Sequence, residues 1–359
     1  MNRVTASPEM PGSVHWRSPS NIALVKYWGK KKGQIPENPS ISITLSKSHT
    51  ETFLSYSPAK GQAGILKEFS FEGKELPAFK ERIERYLHQI GSLYPFLKDF
   101  DLTLSSYNSF PHSSGIASSA SALSAIALCL TSMERALFSS PSDDYSFFRK
   151  ASCAARIGSG SAARSVYPGY ALWGSAAEVP HSANEYAVPL NDNLHDDFRD
   201  MGDAILIVDE SPKPVSSSKG HALMESNPWA AVRYGQAKMH TGRLIEVLAA
   251  GDAGEFVRIV EKEAMTLHSL MMSSDPGYIL LKPGTLEIID KVRQFRLETT
   301  IPLAFTLDAG PNVHIIYPAR FRESVKDFIE HQLAGHCSKG KWIDDNAGEG
   351  PVEITGNDR

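Results

Sequence analysis

The stretch Pro111-His-Ser-Ser-Gly-Ile-Ala-Ser-Ser-Ala-Ser-Ala122 decides how this chain is read. It follows a strand-like run, Leu102 to Tyr107, and opens a helix. Small residues let the backbone approach a ligand closely, and serine hydroxyls add donors. The first turn of a helix carries N–H groups without partners in the helix, and its dipole favours negative charge there. A strand, a Gly/Ser loop and a helix entrance together make an anion cradle suited to nucleotide phosphates. An ordinary capped helix after a loop is the bland alternative, and the local physics leaves both open. Along the helix, Leu123, Ile126, Ala127, Leu130, Met133 and Leu137 recur at helical spacing, one apolar stripe facing a core.

No Gly-x-x-x-x-Gly-Lys-Ser/Thr occurs, which argues against the P-loop NTPases, and the absence of Gly-x-Gly-x-x-Gly argues against the usual dinucleotide fingerprint. Three other segments carry chemistry. Ser18-Pro-Ser-Asn-Ile-Ala-Leu-Val-Lys-Tyr-Trp-Gly-Lys30 reads as a buried strand running into Lys26, Tyr27 and Lys30, and Asn38-Pro-Ser-Ile-Ser-Ile-Thr-Leu45 follows it. Two lysines beside a strand end suit an anionic substrate, although a solvated basic edge looks the same in isolation. In Arg156-Ile-Gly-Ser-Gly-Ser-Ala-Ala-Arg-Ser-Val-Tyr-Pro-Gly-Tyr170, the glycines permit a tight turn and Ser159 and Ser161 can donate to anionic oxygens. Arg164 offers a planar fork for a carboxylate or phosphate. Thr306-Leu-Asp-Ala-Gly-Pro-Asn-Val-His-Ile-Ile316 places Asp308 in a turn between two apolar runs, where an aspartate is usually a turn former.

The Pro-x-x-x-Gly-Ile-Ala-Ser-Ser-Ala pattern resembles the phosphate loop of the GHMP kinase superfamily. Asn-Ile-Ala-x-x-Lys-Tyr-Trp-Gly-Lys, Gly-Ser-Gly-Ser-Ala-x-Arg-Ser and Asp-Ala-Gly-Pro-Asn, in that order, resemble the mevalonate diphosphate decarboxylase family within it. The resemblance covers residues 14–317. It implies an α+β, two-domain GHMP-kinase fold. The N-terminal domain would be ribosomal protein S5 domain 2-like and the C-terminal domain ferredoxin-like, with the active site in the cleft between them. It also implies ATP-dependent decarboxylation of mevalonate 5-diphosphate to isopentenyl diphosphate, with ATP and Mg²⁺ required, and a homodimer.

Carried over residue by residue, the resemblance makes Asp308 the essential acid, Lys26 its neighbour near the transferred phosphate, and Arg164 the holder of the substrate carboxylate. Tyr27, Lys30, Ser159 and Ser161 would bind substrate. Ser114, Gly115, Ile116, Ala117, Ser118 and Ser119 would hold the ATP phosphates, with Ser119 also a metal ligand. In Pro214-Val-Ser-Ser-Ser-Lys-Gly-His221, Ser217 matches a serine that contacts phosphates. Three departures stand out. Position 163 is Ala where many members have Cys. Ser218 stands where some bacterial members have a phosphate-binding arginine, which leaves Lys219 as the candidate for that charge. His221 replaces the usual Met. Three rival functions share parts of this pattern: a decarboxylase of mevalonate 5-phosphate, a GHMP small-molecule kinase without decarboxylation, and a non-catalytic GHMP-like binding protein.

Composition agrees with an ordinary globular enzyme: 359 residues, 22% charged, 42% hydrophobic and a net charge of −4. That mild acidity gives no footprint for nucleic acid. Three cysteines, Cys129, Cys153 and Cys337, form no Cys-x-x-Cys pair and point to reduced thiols in the cytoplasm. The N-terminal residues lack the apolar run of a signal peptide, and no apolar stretch approaches the length that spans a bilayer. No His-Glu-x-x-His or comparable spacing makes a metal site of the twelve histidines. Strand-like runs fall at 41–45, 52–56, 102–107 and 204–208, and helical periodicity at 83–93, 229–249, 253–272, 285–295 and 320–333. The polar connection 180–199 marks the expected boundary between domains at 14–199 and 200–340, with residues 1–13 and 341–359 as flexible tails.

Overall fold

The computed structural model describes residues 10–60, 66–110, 118–211 and 214–355. The first half is a mixed sheet backed by helices. Strand β1 (Gly12–Ala23) pairs antiparallel with β2 (Ser40–Pro58), and β2 with β5 (Phe100–Asn108). β3 (Leu66–Phe71) lies parallel to β5 and turns into β4 (Lys74–Glu75). The 41–45 and 52–56 runs are thus two parts of one long strand, and a register shift opposite Pro19–Asn21 separates them. Proline removes a ladder donor, so an irregularity there is natural. The lower part of β2 pairs with β6 (Tyr170–Trp173), and β6 with β7 (Ala187–Pro189).

Helices α1 (Pro77–Gln89), α2 (Ser118–Phe138) and α3 (Asp144–Gly158) cover this sheet. α2 corrects two expectations. It is not striped: Ala120, Ser121, and every residue from Leu123 to Met133 are buried. It is also long and apolar enough to cross a membrane by length and composition. Its surroundings account for both. The helix is packed between β1, β2 and α3, where its small residues (Ala, Ser, Thr) allow close approach on all sides.

The second half holds α4 (Asp196–Arg199), β8 (Met201–Leu206), α5 (Ser217–Ala222), α6 (Ala230–Ala250), α7 (Ala253–Met272) and α8 (Pro283–Thr299). It continues with β9 (Ala304–Thr306), β10 (Val313–Pro318), α9 (Arg322–Phe328), β11 (Trp342–Asn346) and β12 (Val352–Glu353). Its sheet runs β11-β8-β10-β9, all antiparallel. The flexible tail expected at 341–359 is corrected here. β11 pairs along β8 and β12 returns to β1, while Asp345 is fully buried. Asp345 Oδ1 accepts the backbone N–H groups of Ser46 (3.0 Å) and Lys47 (2.7 Å), and Oδ2 that of Ser48 (2.8 Å). The tail is polar because its job is to satisfy donors at the irregular part of β2.

The two halves share apolar packing. One cluster unites Ile22, Leu24, Val25, Ile41 and Ile43 from the first half with Ile205, Ile316, Leu244 and Phe256 from the second half. This packing holds the β1 exit and the β9–β10 turn against each other.

Candidate functional site

Lys26 lies three residues past the end of β1. Its backbone is pinned at both ends: its N–H donates to Glu263 Oε2 (2.8 Å), and its carbonyl accepts from Asn38 Nδ2 (3.0 Å) and Arg233 Nη2 (3.2 Å). Beneath it, buried Glu263 also takes two bonds from Arg233 (3.0 and 2.6 Å) and pairs with His240 at 2.6 Å. The Lys26 side chain therefore has one direction left. Its Nζ donates to Asp308 Oδ1 at 2.9 Å, across 282 residues of sequence. Lys26 is 1% exposed. Burial holds its pKa below the ordinary lysine value, against the opposing pull of Asp308 and Glu263. Asp308 lies in the turn between β9 and β10, where its carbonyl accepts from Gly310 N–H (2.7 Å) and faces His268 Nε2 (3.1 Å).

Arg164 is 2% exposed, in the short 3-10 turn Gly160–Val166 after α3. Its Nε and Nη1 donate to the hydroxyls of Ser42 and Ser40, both at 2.9 Å, and Nη2 to Asn21 Oδ1 at 3.2 Å. Burial brings its pKa down to about 10, with Asp308 resisting, so the guanidinium stays charged near neutrality. Among the described residues no carboxylate oxygen lies within 4 Å of it. A buried guanidinium held by neutral groups retains strong attraction for an incoming carboxylate.

Both side chains open into one cavity of about 360 Å³, which reaches from Lys26, Arg164 and Asp308 to Ser118 and Ser119 at the start of α2. Of the residues singled out in the sequence, Tyr27, Lys30, Ser159, Ser161 and Ser217 also line it. Ser119 and Ser159 hydroxyls are 3.3 Å apart. Ser114, Gly115, Ile116 and Ala117 lie outside the described residues. Lys219, the candidate for the charge missing at Ser218, is exposed and is not part of this cavity's lining. Lys30 and Arg82 add further positive charge to the cavity lining. Burial lowers the Lys30 pKa.

Sequence reasoning missed Arg82, Gln34, Trp28 and Asn21 as members of the site. Arg82 sits among Lys80, Glu81, Glu84 and Arg85 on α1, where a single arginine reads as part of a solvated face. Asn21 lies in the quoted strand, and only the path of Arg164 across that strand reveals its bond. For Mg²⁺, the described residues contain no cluster of three or more His, Cys, Asp or Glu side chains. A cation carried by triphosphate oxygens fits such a site, with the Ser119 hydroxyl and the Asp308 carboxylate facing the same cavity.

A family model described as "Diphosphomevalonate decarboxylase-like N-terminal domain" matches residues 18–184, and "Mevalonate 5-diphosphate decarboxylase C-terminal domain" matches residues 204–353. The chain is 29% identical over 329 residues to the diphosphomevalonate decarboxylase of Eremothecium gossypii, covering 87% of this chain and 79% of that one. Mevalonate diphosphate decarboxylase from Staphylococcus aureus superposes with a TM-score of 0.81 at 28% identity, over 96% of this chain and 99% of that one. A structure of MDDEF in complex with MVAPP, AMPPCP and magnesium superposes with a TM-score of 0.78 at 26% identity, over the same shares of the two chains.

Proposed function

The chain belongs to the diphosphomevalonate decarboxylase family, and from that premise we propose how its cavity works. It catalyses the ATP-dependent decarboxylation of mevalonate 5-diphosphate to isopentenyl diphosphate, releasing ADP, phosphate and CO₂. A tertiary hydroxide is a poor leaving group, so ATP first phosphorylates the 3-hydroxyl. Departure of that phosphate leaves positive charge at C3, and the carboxylate leaves as CO₂. One observation carries the assignment of roles: Lys26, Asp308 and Arg164 share a cavity with the entrance of α2.

Asp308 faces the 3-hydroxyl, where it accepts the proton or steadies charge developing at C3. Lys26 orients that carboxylate and meets the transferred phosphoryl group. Arg164 grips the substrate carboxylate with a fork that Ser40, Ser42 and Asn21 hold in place. Tyr27, Lys30, Ser159 and Ser161 bind the rest of the substrate. Ser118, Ser119 and Ser217 take the ATP phosphates together with the loop at 114–117. Mg²⁺ neutralises triphosphate charge when bound. Residues 14–199 act as the ATP-binding domain. The second domain runs from residue 200 and supplies Asp308.

The enzyme works in the cytoplasm, with its three cysteines as free thiols. It works as a homodimer. Val232 and Met239 are exposed along one face of α6, with exposed Trp229 at its N-cap. A two-fold axis near Gly235 would set Val232 of one copy against Met239 of the other, as a self-complementary interface requires. Val232→Glu is expected to shift the particle to monomer mass in light scattering, and an unchanged mass places the interface elsewhere.

The activity is tested by supplying ATP and Mg²⁺ with mevalonate, its 5-phosphate or its 5-diphosphate, following ADP and CO₂ separately. CO₂ from the diphosphate is expected. ADP without CO₂ would make the protein a kinase, and CO₂ from the monophosphate alone would overturn the substrate assignment. Asp308→Asn is expected to abolish turnover while ATP binding persists.

A further inference from the structure

His221 lines the cavity but has no part in the chemistry above. It belongs to α5, which lies against Trp28 because residue 220 is glycine. A Cβ there would sit 2.5 Å from Trp28 Cζ2 and 2.6 Å from the Tyr278 hydroxyl. The imidazole is wedged beside two rings, its centroid 4.4 Å from Tyr27 and 4.5 Å from Trp28. Gly29 N–H donates to His221 Nδ1 at 3.0 Å. That donor is itself fixed: Gly29 has φ +101°, and a Cβ on it would meet the Tyr234 hydroxyl at 2.1 Å.

A backbone N–H can only donate, so Nδ1 carries no proton and the neutral ring bears its hydrogen on Nε2. His221 is 8% exposed, and among the described residues Gly29 is its hydrogen-bond partner. Lys30 is the charged group that acts on the ring, and the Tyr27 and Trp28 rings flank it. Burial, helped by Lys30, pushes its pKa down to about 3. The ring is therefore an uncharged donor at working pH and no proton shuttle.

Building on the decarboxylase reading, we propose that His221 is a specificity-determining residue for the phosphoryl end of the substrate. Its Nε2–H donates to a phosphoryl oxygen whose charge Lys30 balances. The donor is preorganised, with ring plane and tautomer set before substrate arrives, so its contribution falls on binding and not on the chemical step.

Phe and Gln separate donor from ring. His221→Phe keeps a stacked ring and loses the N–H, whereas His221→Gln keeps an N–H near the Nε2 position. H221F is expected to raise KM for mevalonate 5-diphosphate about tenfold or more, as for a lost bond to a charged group, with kcat and the KM for ATP within about threefold. Calorimetric Kd for mevalonate 5-diphosphate without nucleotide should rise in parallel, and H221Q should recover most of the loss. The wild-type KM should show no histidine inflection between about pH 5 and 8. Wild-type KM in H221F, a loss confined to kcat or to ATP, or a histidine inflection absent from H221Q would each overturn the proposal. If H221F does not fold, ¹⁵N-histidine spectra of the wild type decide: the Nε2–H resonance must move on adding mevalonate 5-diphosphate, and a static resonance overturns the role. Wild-type enzyme that releases no CO₂ from mevalonate 5-diphosphate overturns the function itself. Active wild-type enzyme with an unaltered H221F variant overturns only the role of His221.

Discussion

At the residue scale, the site turns on a buried lysine paired with an aspartate in a place that disfavours charge. Burial lowers the Lys26 pKa, so its proton leaves at lower pH than that of a free lysine. The expected consequence is an alkaline limb in kcat/KM with its inflection below about 10.4, the ordinary lysine value. A profile flat up to that pH would remove Lys26 from the active ionic form. Glu263 supports this lysine from below. Burial pushes the Glu263 carboxyl up, but Arg233, His240 and the Lys26 N–H together outweigh it and leave its pKa lowered. Its folded pKa thus lies below its unfolded one. In the window between them the unfolded chain binds the extra proton, so stability rises with pH. The contribution is complete above about pH 4.3 and is lost as pH falls through the folded value. Urea denaturation should therefore show a shallower acid-side loss of stability in Glu263→Gln. Glu263→Ala, which strands Arg233, should cost about 3–5 kcal/mol at pH 7. A cost near zero would mean that the cluster is not closed. Lys26, Arg164 and Asp308 were legible because they sit in spaced motifs of Gly, Ser and Asn. Glu263, Arg233 and His240 were not. Each is a polar residue on a long helix that carries other polar residues, and only the packing of α6 on α7 turns three solvated-looking positions inward.

At the element scale, legibility followed local pattern. α6 and α7 announce themselves by apolar spacing and by Gly251 and Asp252 between them, a left-handed C-cap followed by an N-cap whose side chain accepts from Glu255 N–H. β11 has no such signal. Trp342-Ile-Asp-Asp-Asn346 is short and polar, and it becomes a strand only because β8 offers a partner edge. Its importance lies in Asp345, which collects three amide N–H groups from 46–48 and so ties the second sheet to the first. Asp345→Ala leaves those donors without their acceptor. A loss of about 1–3 kcal/mol is expected in denaturant titration, the cost of one buried unsatisfied group, because the Ser48 bond is the buried one of the three. Removing residues 342–359 should be worse, since it also strips an edge from β8 and the β12 pairing from β1. If the truncated chain unfolds at the same denaturant concentration as the full chain, the tail is dispensable after all.

At the scale of the molecule, the two-domain arrangement was legible only through the resemblance, because hydrophobic periodicity says nothing about which sheets share a core. The shared cluster explains why the halves cannot be independent: Ile22, Leu24 and Ile41 are as much part of the second half's packing as Ile205 and Phe256. Calorimetry of the ligand-free protein should accordingly show one cooperative transition, and two resolved transitions would contradict the common core. Ligand binding adds to this coupling. Lys26 and Arg164 come from the first half and Asp308 from the second, so a molecule that engages all three bridges them. At about 100 times Kd, a ligand specific to the folded state adds about 2.7 kcal/mol. For a chain of this size that corresponds to a rise in Tm of about 3–4 °C. Mevalonate 5-diphosphate should deliver it in the wild type, and Arg164→Gln should lose most of it at the same ligand concentration. Mevalonate 5-diphosphate without its carboxylate should bind the wild type and the Arg164→Gln variant alike, because the guanidinium then has nothing to hold. Were the decarboxylated analogue to discriminate between the two proteins, Arg164 would be gripping the phosphoryl end, and the substrate would lie reversed in the cleft.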